Sequence, residues 1–324
     1  MIMLASDVSA IGHRPLGRSG LSAGSIGLGC WAIGGFFTLD GKADGWGEVD
    51  DEQSIRAIHV GLDMGASLID TADAYGAGHS EEVIGRALKG RRGEAIVATK
   101  FGYTYDRAKR ALIGTDVSPS YIEQACTASL QRLGTGHIDL YQIHVGELSH
   151  DQADAAGETL EKLAETGAIR FWGWSTDNAA GAKRMVKFPH FVAVQQELNV
   201  FTNGPDMLAM CESTDLASLN RSPLAMGFLT GKFNPDTRLP DDDVRAAGHS
   251  WVRSSRTDGR VPTISGALKS SGSFSRRAAE PWLKARWVGF SPVRPAPSPY
   301  PVSSRRRRSG RISRRCSWGH CRPQ

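Results

Sequence analysis

Residues 67–76 read SLIDTADAYG: an apolar run stops on a carboxylate, Asp70, and a phenol, Tyr75, follows five positions later. The run is too short for a helix and reads as a buried strand with Asp70 at its C-terminal end. Upstream, DEQSIRAIHVGLDMG (51–65) sets Ile55, Ile58 and Leu62 on one helical face and stops at Gly65. Downstream, SEEVIGRALKG (80–90) is a second helix. Ser80 is its expected N-cap, Glu81 and Glu82 lie in the first turn, and Gly90 follows the end. The next strand is EAIVATKFG (94–102), so helix and strand alternate around the opening stretch.

The alternation continues. SPSYIEQACTASLQRLG (118–134) carries Ser118 at the cap, Pro119 at the first helical position and Gly134 at the stop, with Ile122, Cys126, Leu130 and Leu133 on one face. HIDLYQIH (137–144) is a third strand, and ETLEKLAETGAIRFWGWS (158–175) gives a helix and a fourth. A fifth lies in KFPHFVAVQQELNVF (187–201) and a sixth in SLNRSPL (218–224). Near-continuous apolar strands separated by helices predict a parallel sheet covered on both faces. Six regular units without a G-x-G-x-x-G turn favour an α/β fold of the closed (β/α)8, TIM-barrel kind over an open doubly wound sheet. RPLGRSGLSAGSIGLGCWAIGG (14–35) predicts short Gly-punctuated strands, a hairpin plugging one barrel end.

The 324 residues suffice for a large core. No apolar run reaches the roughly 20 residues of a membrane span, and the N-terminus has no basic segment leading into an apolar one, so neither a membrane partner nor a leader is expected. Five scattered cysteines suit reduced thiols, hence a cytoplasmic setting, better than a disulfide framework. The net charge of +5 conceals a division. Residues 271–324 hold twelve arginines and one lysine against Glu280, while the remaining 26 basic and 33 acidic residues leave 1–270 at −7.

In a parallel barrel the C-terminal ends of the strands converge on one mouth. Those ends carry Asp70, Lys100, His144, Ser175 and Gln195, with Tyr75 on the loop after the first of them. Taken singly, each is an ordinary cap, solvated cation or packing residue; four of them in successive units form a constellation. An ammonium beside a phenol stabilises the phenolate and lowers a reference pKa of about 10, while a carboxylate holds the lysine charged. A phenol so tuned can protonate a carbonyl oxygen, and an imidazole can orient it. Proton donation to a carbonyl calls for a hydride source. With no metal-ligand cluster and no flavin motif in the sequence, nicotinamide is the economical choice.

DTADAYG, ATKFG, LYQIH, GWST and SPLAMGFLTGKF, with the opening LGRSGLSAGSIGLGCWAIGG, resemble the aldo-keto reductase family in order and spacing over residues 13–235. The resemblance implies a TIM barrel, NADP(H) bound at its mouth, and reduction of an aldehyde or ketone. By motif, Tyr75 is the general acid, Lys100 and Asp70 tune it, and His144 positions the carbonyl. Ser175 and Gln195 hold the nicotinamide carboxamide. Arg221 stands where many members place an aromatic that stacks on the nicotinamide, and a guanidinium plane can stack too. Backbone amides around Ser222, Leu224, Gly227 and Thr230 meet the pyrophosphate. Val145 replaces a frequent Trp of the substrate wall, for which Phe36, Phe37 and Trp46 are further candidates.

After SPLAMGFLTGKF the family pattern fades. HSWVRSSRTDGR (249–260) still fits, but from about 260 an Arg/Ser/Pro-rich segment follows, whose prolines at 292, 295, 297, 299 and 301 exclude a buried strand. KARWVGF (284–290) is its one weak strand candidate. The division expected is a barrel domain over 1–260 and an aberrant, disordered segment over 261–324, of the composition that GC-rich coding sequence yields out of frame. Six strands cannot close an eight-strand barrel, so unpaired sheet edges and a damaged adenosine subsite are expected. The alternative function is a non-catalytic, cofactor-binding regulatory homologue. Nucleic-acid binding through the arginine tail is a third reading, disfavoured because a charged tail without a reading module has little specificity. Composition sets neither the oligomeric state nor the particular carbonyl.

Overall fold

The computed structural model describes residues 11–252, Pro235 excepted, and the backbone of residues 287–292. Eight parallel strands close into a barrel. In chain order they are β1 (Ile26–Gly29), β2 (Leu68–Asp70), β3 (Ile96–Phe101), β4 (Ile138–Ile143), β5 (Ile169–Ser175), β6 (Phe191–Glu197), β7 (Ala217–Arg221) and β8 (Trp287–Pro292). The helices between them are α1 (Asp51–Asp63), α2 (His79–Ala87), α3 (Pro119–Leu133), α4 (His150–Glu165), α5 (Ala179–Met185) and α6 (Pro205–Ser213).

Three expectations need correction. Two strands join the six expected: SIGLGC supplies β1, a barrel stave and not part of the plug, and Trp287–Pro292 supplies β8. The alternating glycines of SIGLGC hide it from any apolar-run criterion. The predicted open edges do not form. β8 pairs with β7 (Leu219 opposite Val288) and with β1 (Phe290 opposite Gly27), so KARWVGF does contain a strand, and Pro292 is its last residue. The proposed domain boundary at 260 and the tail beyond Pro292 lie outside the described residues. Finally, Ser80 is not the cap of α2. The helix opens at His79 behind Gly78 in a left-handed conformation, and the buried Ser80 hydroxyl donates to the Cys30 carbonyl at 2.9 Å while accepting from Thr71 Oγ1 at 2.8 Å. Burial turned a capping group into a tie between the helix and the ends of β1 and β2.

The other signals hold. Ser118 Oγ accepts from the Tyr121 amide, Pro119 opens α3, and Gly134 closes it at φ +62°. An N-terminal antiparallel hairpin (His13–Pro15 with Ser22–Gly24) does plug the barrel floor. Its Leu16 and Ala23 are wholly buried among inward side chains such as Leu68, Ala98, Leu140, Val192 and Leu219. Gly17 makes that insertion possible. At φ +53° it sits so close to the barrel that a Cβ would lie 2.5 Å from the Val192 carbonyl oxygen and 2.6 Å from the Ala217 nitrogen. Arg18 then donates to the carbonyls of Val186, Phe188 and Phe191, tying the plug to the bottom of β6. Outside the barrel, one apolar layer joins Ile58, Val83, Ile122, Leu160 and Met185 of the helices to Trp172, Trp174 and Phe191 of the sheet.

The opposite end is the open one. There the loops after β1 and β3 build a small four-stranded sheet from Lys42–Ala43, Thr38–Leu39, Ala111–Thr115 and Tyr103–Asp106. This sheet walls the mouth into which the strand ends point.

Candidate active site

Register explains why the polar residues meet. β3 and β4 pair Lys100 with Gln142, and β2 pairs Asp70 with Ala98 of β3, two residues before Lys100. Side chains alternate along a strand, so these polar groups share one inward layer above the apolar floor. Asp70 is the hub. Its Oδ2 accepts from Lys100 Nζ at 2.8 Å, and its Oδ1 accepts from Gln142 Nε2 at 3.2 Å and Gln195 Nε2 at 2.9 Å. Lys100, fully buried, also donates to the Thr71 carbonyl at 2.7 Å and reaches Tyr75 Oη at 3.4 Å.

Tyr75 reaches this layer through a tight turn. Gly76, at φ +63°, lies so near the β1–α1 loop that a Cβ there would stand 2.1 Å from the Gly34 carbonyl oxygen. Beside that backbone contact the Tyr75 ring stacks on Trp31, centroids 6.1 Å apart and planes 26° from parallel. His144, the first residue after β4, meets Tyr75 edge-on at 5.7 Å and Tyr103 at 5.1 Å. Among the described residues, its buried Nδ1 has no hydrogen-bond partner.

The electrostatics follow from burial. Burial raises the Tyr75 pKa; the Lys100 charge pulls against it and Asp70 adds to it, leaving the phenol above its ordinary value. This corrects the sequence expectation of a net lowering: Lys100 lowers it, but desolvation outweighs Lys100. For Lys100 the balance falls the other way. Burial disfavours the ammonium, yet Asp70 and Tyr75 together raise its pKa, so it stays charged. Burial, then Lys100 and Arg221, hold His144 well below its usual value, so it is a neutral imidazole.

Next to this cluster, Ser175 Oγ lies 3.5 Å from Gln195 Oε1. Arg221, at the end of β7, is held by Asp177 at 2.5 Å with Glu197 at 3.8 Å. The following segment turns sharply, with Ser222, Ala225, Met226 and Gly227 at positive φ, and Arg245 pins it by donating to the Met226 carbonyl at 3.0 Å. Asp70, Tyr75, His144, Ser175, Gln195, Arg221 and the turn after it border one cavity of about 790 Å3, a size suited to a small ligand, whereas Lys100, Gln142 and Arg245 are not part of its lining. Tyr75, His144, Ser175, Gln195, Arg221, Ser222, Leu224 and Gly227 line it. Thr230 is not part of that lining; its hydroxyl donates to the Gly227 carbonyl at 2.6 Å.

The donor set fits the nicotinamide end of a dinucleotide. A hydroxyl and an amide side by side suit a carboxamide, and a cation beside sharply turned backbone suits a phosphate. Of the expected substrate wall, Phe37 and Trp46 border the cavity, whereas Phe36 is exposed and outside it. The sequence reading missed Gln142, Trp31, Tyr103, Asp44 and Trp251. Only Gln142 carried a usable signal, since period two from Leu140 turns it inward.

A charged lysine links a buried carboxylate to a phenol at the C-terminal mouth of a β/α barrel, an arrangement of the oxidoreductase class. The model of the Aldo/keto reductase family matches residues 25–269, and the chain belongs to that family, NAD(P)H-dependent oxidoreductases. It is 32% identical over 220 residues to YqkF, an uncharacterised oxidoreductase of Bacillus subtilis, covering 68% of this chain and 67% of that protein. It is 32% identical over 245 residues to the aldo-keto reductase yakc [NADP(+)] of Schizosaccharomyces pombe, covering 73% and 68%. Among solved structures, the glycerol dehydrogenase AKR11B4 from Gluconobacter oxydans superposes with a TM-score of 0.68 at 29% identity, over 87% of this chain and 86% of that one.

Proposed function

We propose that the chain reduces an aldehyde or ketone to the alcohol with NADPH, Tyr75 giving the proton. The observation that carries this reading is the line Asp70–Lys100–Tyr75, with contacts of 2.8 and 3.4 Å, beside a neutral His144 whose Nδ1 has no partner among the described residues. Ser175 and Gln195 would hold the carboxamide of the cofactor. Arg221 with the backbone of Ser222, Leu224 and Gly227 would hold the phosphates, with Thr230 supporting that turn from behind. Preference for the phosphorylated cofactor rests on the relative from Schizosaccharomyces pombe, whose name specifies NADP(+).

When bound, reduced nicotinamide supplies the hydride to the carbonyl carbon. The work of the protein is at the oxygen. A neutral His144 can hydrogen-bond the carbonyl oxygen without adding a second cation beside Lys100. Tyr75, its pKa raised by burial, keeps its proton until charge develops on that oxygen, then donates it. The phenolate left behind faces Lys100 Nζ, whose positive charge Asp70 maintains. Gln142 and Gln195 hold Asp70 in place, so the pair needs no rearrangement as charge moves.

The test is a panel of aldehydes and ketones with NADPH and the full-length chain. Alcohol formation should match NADPH consumption mole for mole, with deuterium from 4-deuterated NADPH on the carbinol carbon. NADPH binding without label in any product would overturn the reading.

A further inference from the structure

The contact on which the proton relay depends, Lys100 Nζ to Tyr75 Oη at 3.4 Å, is longer than the 2.8 Å from Lys100 to Asp70. Lys100 belongs to β3, whereas Tyr75 rides on the loop between β2 and α2, so the gap between them is set by how that loop is tied to the strand. Its first half is held by backbone. The Thr71 amide donates to the Ala98 carbonyl at 2.8 Å, and the Asp73 amide to the Lys100 carbonyl at 3.1 Å. Beyond Tyr75 the chain enters α2, where the Ser80 amide donates back to the Tyr75 carbonyl at 3.2 Å.

Glu81, on the outside of the barrel, joins the start of α2 to β3. Its side chain is wholly buried and accepts from Thr99 Oγ1 at 2.5 Å and from Nε of Arg132, on α3, at 2.6 Å. Thr99 immediately precedes Lys100. Strand alternation sends Lys100 into the barrel and Thr99 out of it, so Glu81 holds the strand directly behind the buried ammonium. Arg132 also donates to Ser129 Oγ at 3.2 Å, and its stem lies on Gly78, the last residue of the Tyr75 loop. At φ +98°, a Cβ on Gly78 would stand 2.7 Å from Arg132 Cδ. The second buried carboxyl nearby, Asp73, is pushed well above the usual carboxylate range by burial and then by Glu81, which leaves Glu81 to match the Arg132 charge.

We propose that the Glu81–Arg132 pair is a positioning element of the proton relay: by locking Thr99 of β3 to the Gly78 end of the loop, it keeps Tyr75 Oη within reach of Lys100 Nζ. This rests on the carbonyl-reductase reading of the cavity. Neither Glu81 nor Arg132 borders that cavity, so both act through Tyr75 and Lys100 and not on a ligand. A misplacement of about 1 Å at a reacting group is enough to cost about 100-fold in rate.

The experiment uses the full-length chain with Glu81→Gln and with Glu81→Gln/Arg132→Met, each also combined with Tyr75→Phe. The single variant keeps the acceptor oxygen for Thr99, and the double variant leaves no buried charge unpaired, so one carries the test if the other fails to fold. Urea unfolding, NADPH binding, kcat and KM are measured where each protein is folded. The expected result is a kcat lower by about 10- to 100-fold, with KM and the NADPH dissociation constant within about threefold of wild type. That loss should vanish in the Tyr75→Phe background, where there is no phenol to place. Unfolding gives a reading that needs no turnover: the midpoint shift that Tyr75→Phe causes in the wild type should fall by at least half in the Glu81 variants. A shift lost in this way without turnover of any carbonyl would uphold the positioning role and overturn the reductase reading. An equal loss of kcat in both backgrounds, or NADPH binding weakened in step with kcat, would mean general support of the fold and overturn the proposal. A midpoint shift that survives, or none in the wild type, would overturn it whatever the turnover.

Discussion

Replacing Asp44 by asparagine should stabilise the protein, and the gain should depend on pH in a defined direction. The carboxyl titrates near an ordinary value of 3.8 in the unfolded chain and at about 7 in the folded one, where burial and then Asp40 disfavour its charge; Tyr103 and His249 are the other titratable groups facing it. Between those values the folded state binds more protons than the unfolded, so stability falls as pH rises from about 4 to about 7 and the full cost is present above. About three pKa units correspond to roughly 4 kcal/mol, an upper figure that relaxation of the loop will reduce. Asparagine keeps the shape and carries no charge. Urea unfolding of wild type and Asp44→Asn across pH 4.5 to 8.5 should therefore diverge with rising pH, the variant being more stable by roughly 2–4 kcal/mol at the alkaline end and little different at the acid end. Parallel pH profiles for the two proteins would refute the claim that Asp44 is a buried, uncompensated carboxyl.

Other consequences concern the proton relay. Lys100→Met strips the buried Asp70 of its cation and should cost about 3–5 kcal/mol in thermal or urea unfolding, with Lys100→Met/Asp70→Asn recovering part of the loss. Gly76→Ala, which collides with the Gly34 carbonyl, should leave the far-ultraviolet circular dichroism near wild type yet cut kcat/KM by about 100-fold, because Tyr75 is displaced from Lys100. For reduction by Asp44→Asn, which removes the cavity carboxyl that titrates at about 7, kcat/KM should be level from about pH 6.5 to 9.5. The raised Tyr75 pKa puts the alkaline limb higher, and a neutral His144 supplies no acid limb near its usual value. An acid limb close to pH 6.5 that persists in Asp44→Asn would contradict a neutral His144.

Much of this architecture is written in local pattern. The caps and stops of α3, the strand containing HIDLYQIH and the strand-end positions of Asp70, Lys100 and His144 follow from side-chain period and turn chemistry, which the tertiary structure did not override. Other features depend on partners that no single segment displays. β1 is half glycine and becomes a strand only because β2 and β8 flank it. Ser80 has the right type and place for a cap, but Cys30 and Thr71 claim its hydroxyl. The sign of the Tyr75 shift is hidden for a similar reason: the sequence reveals the nearby ammonium but not the depth of burial that outweighs it. Asp44 gave no signal in GKADGWG, because its buried Oδ1, without a hydrogen-bond partner among the described residues, is a property of the packed loop, not of the residue type.

The central claim is that Tyr75 delivers the proton, and it is tested most directly by Tyr75→Phe in the full-length chain, with NADPH binding and carbonyl reduction measured on the same preparation. The account predicts an NADPH dissociation constant within about twofold of wild type and a kcat lower by about 10²- to 10⁴-fold, the range a positioned general acid contributes. A variant that binds NADPH and reduces carbonyls at the wild-type rate would contradict it, and the proton would have to come from another group in the cavity.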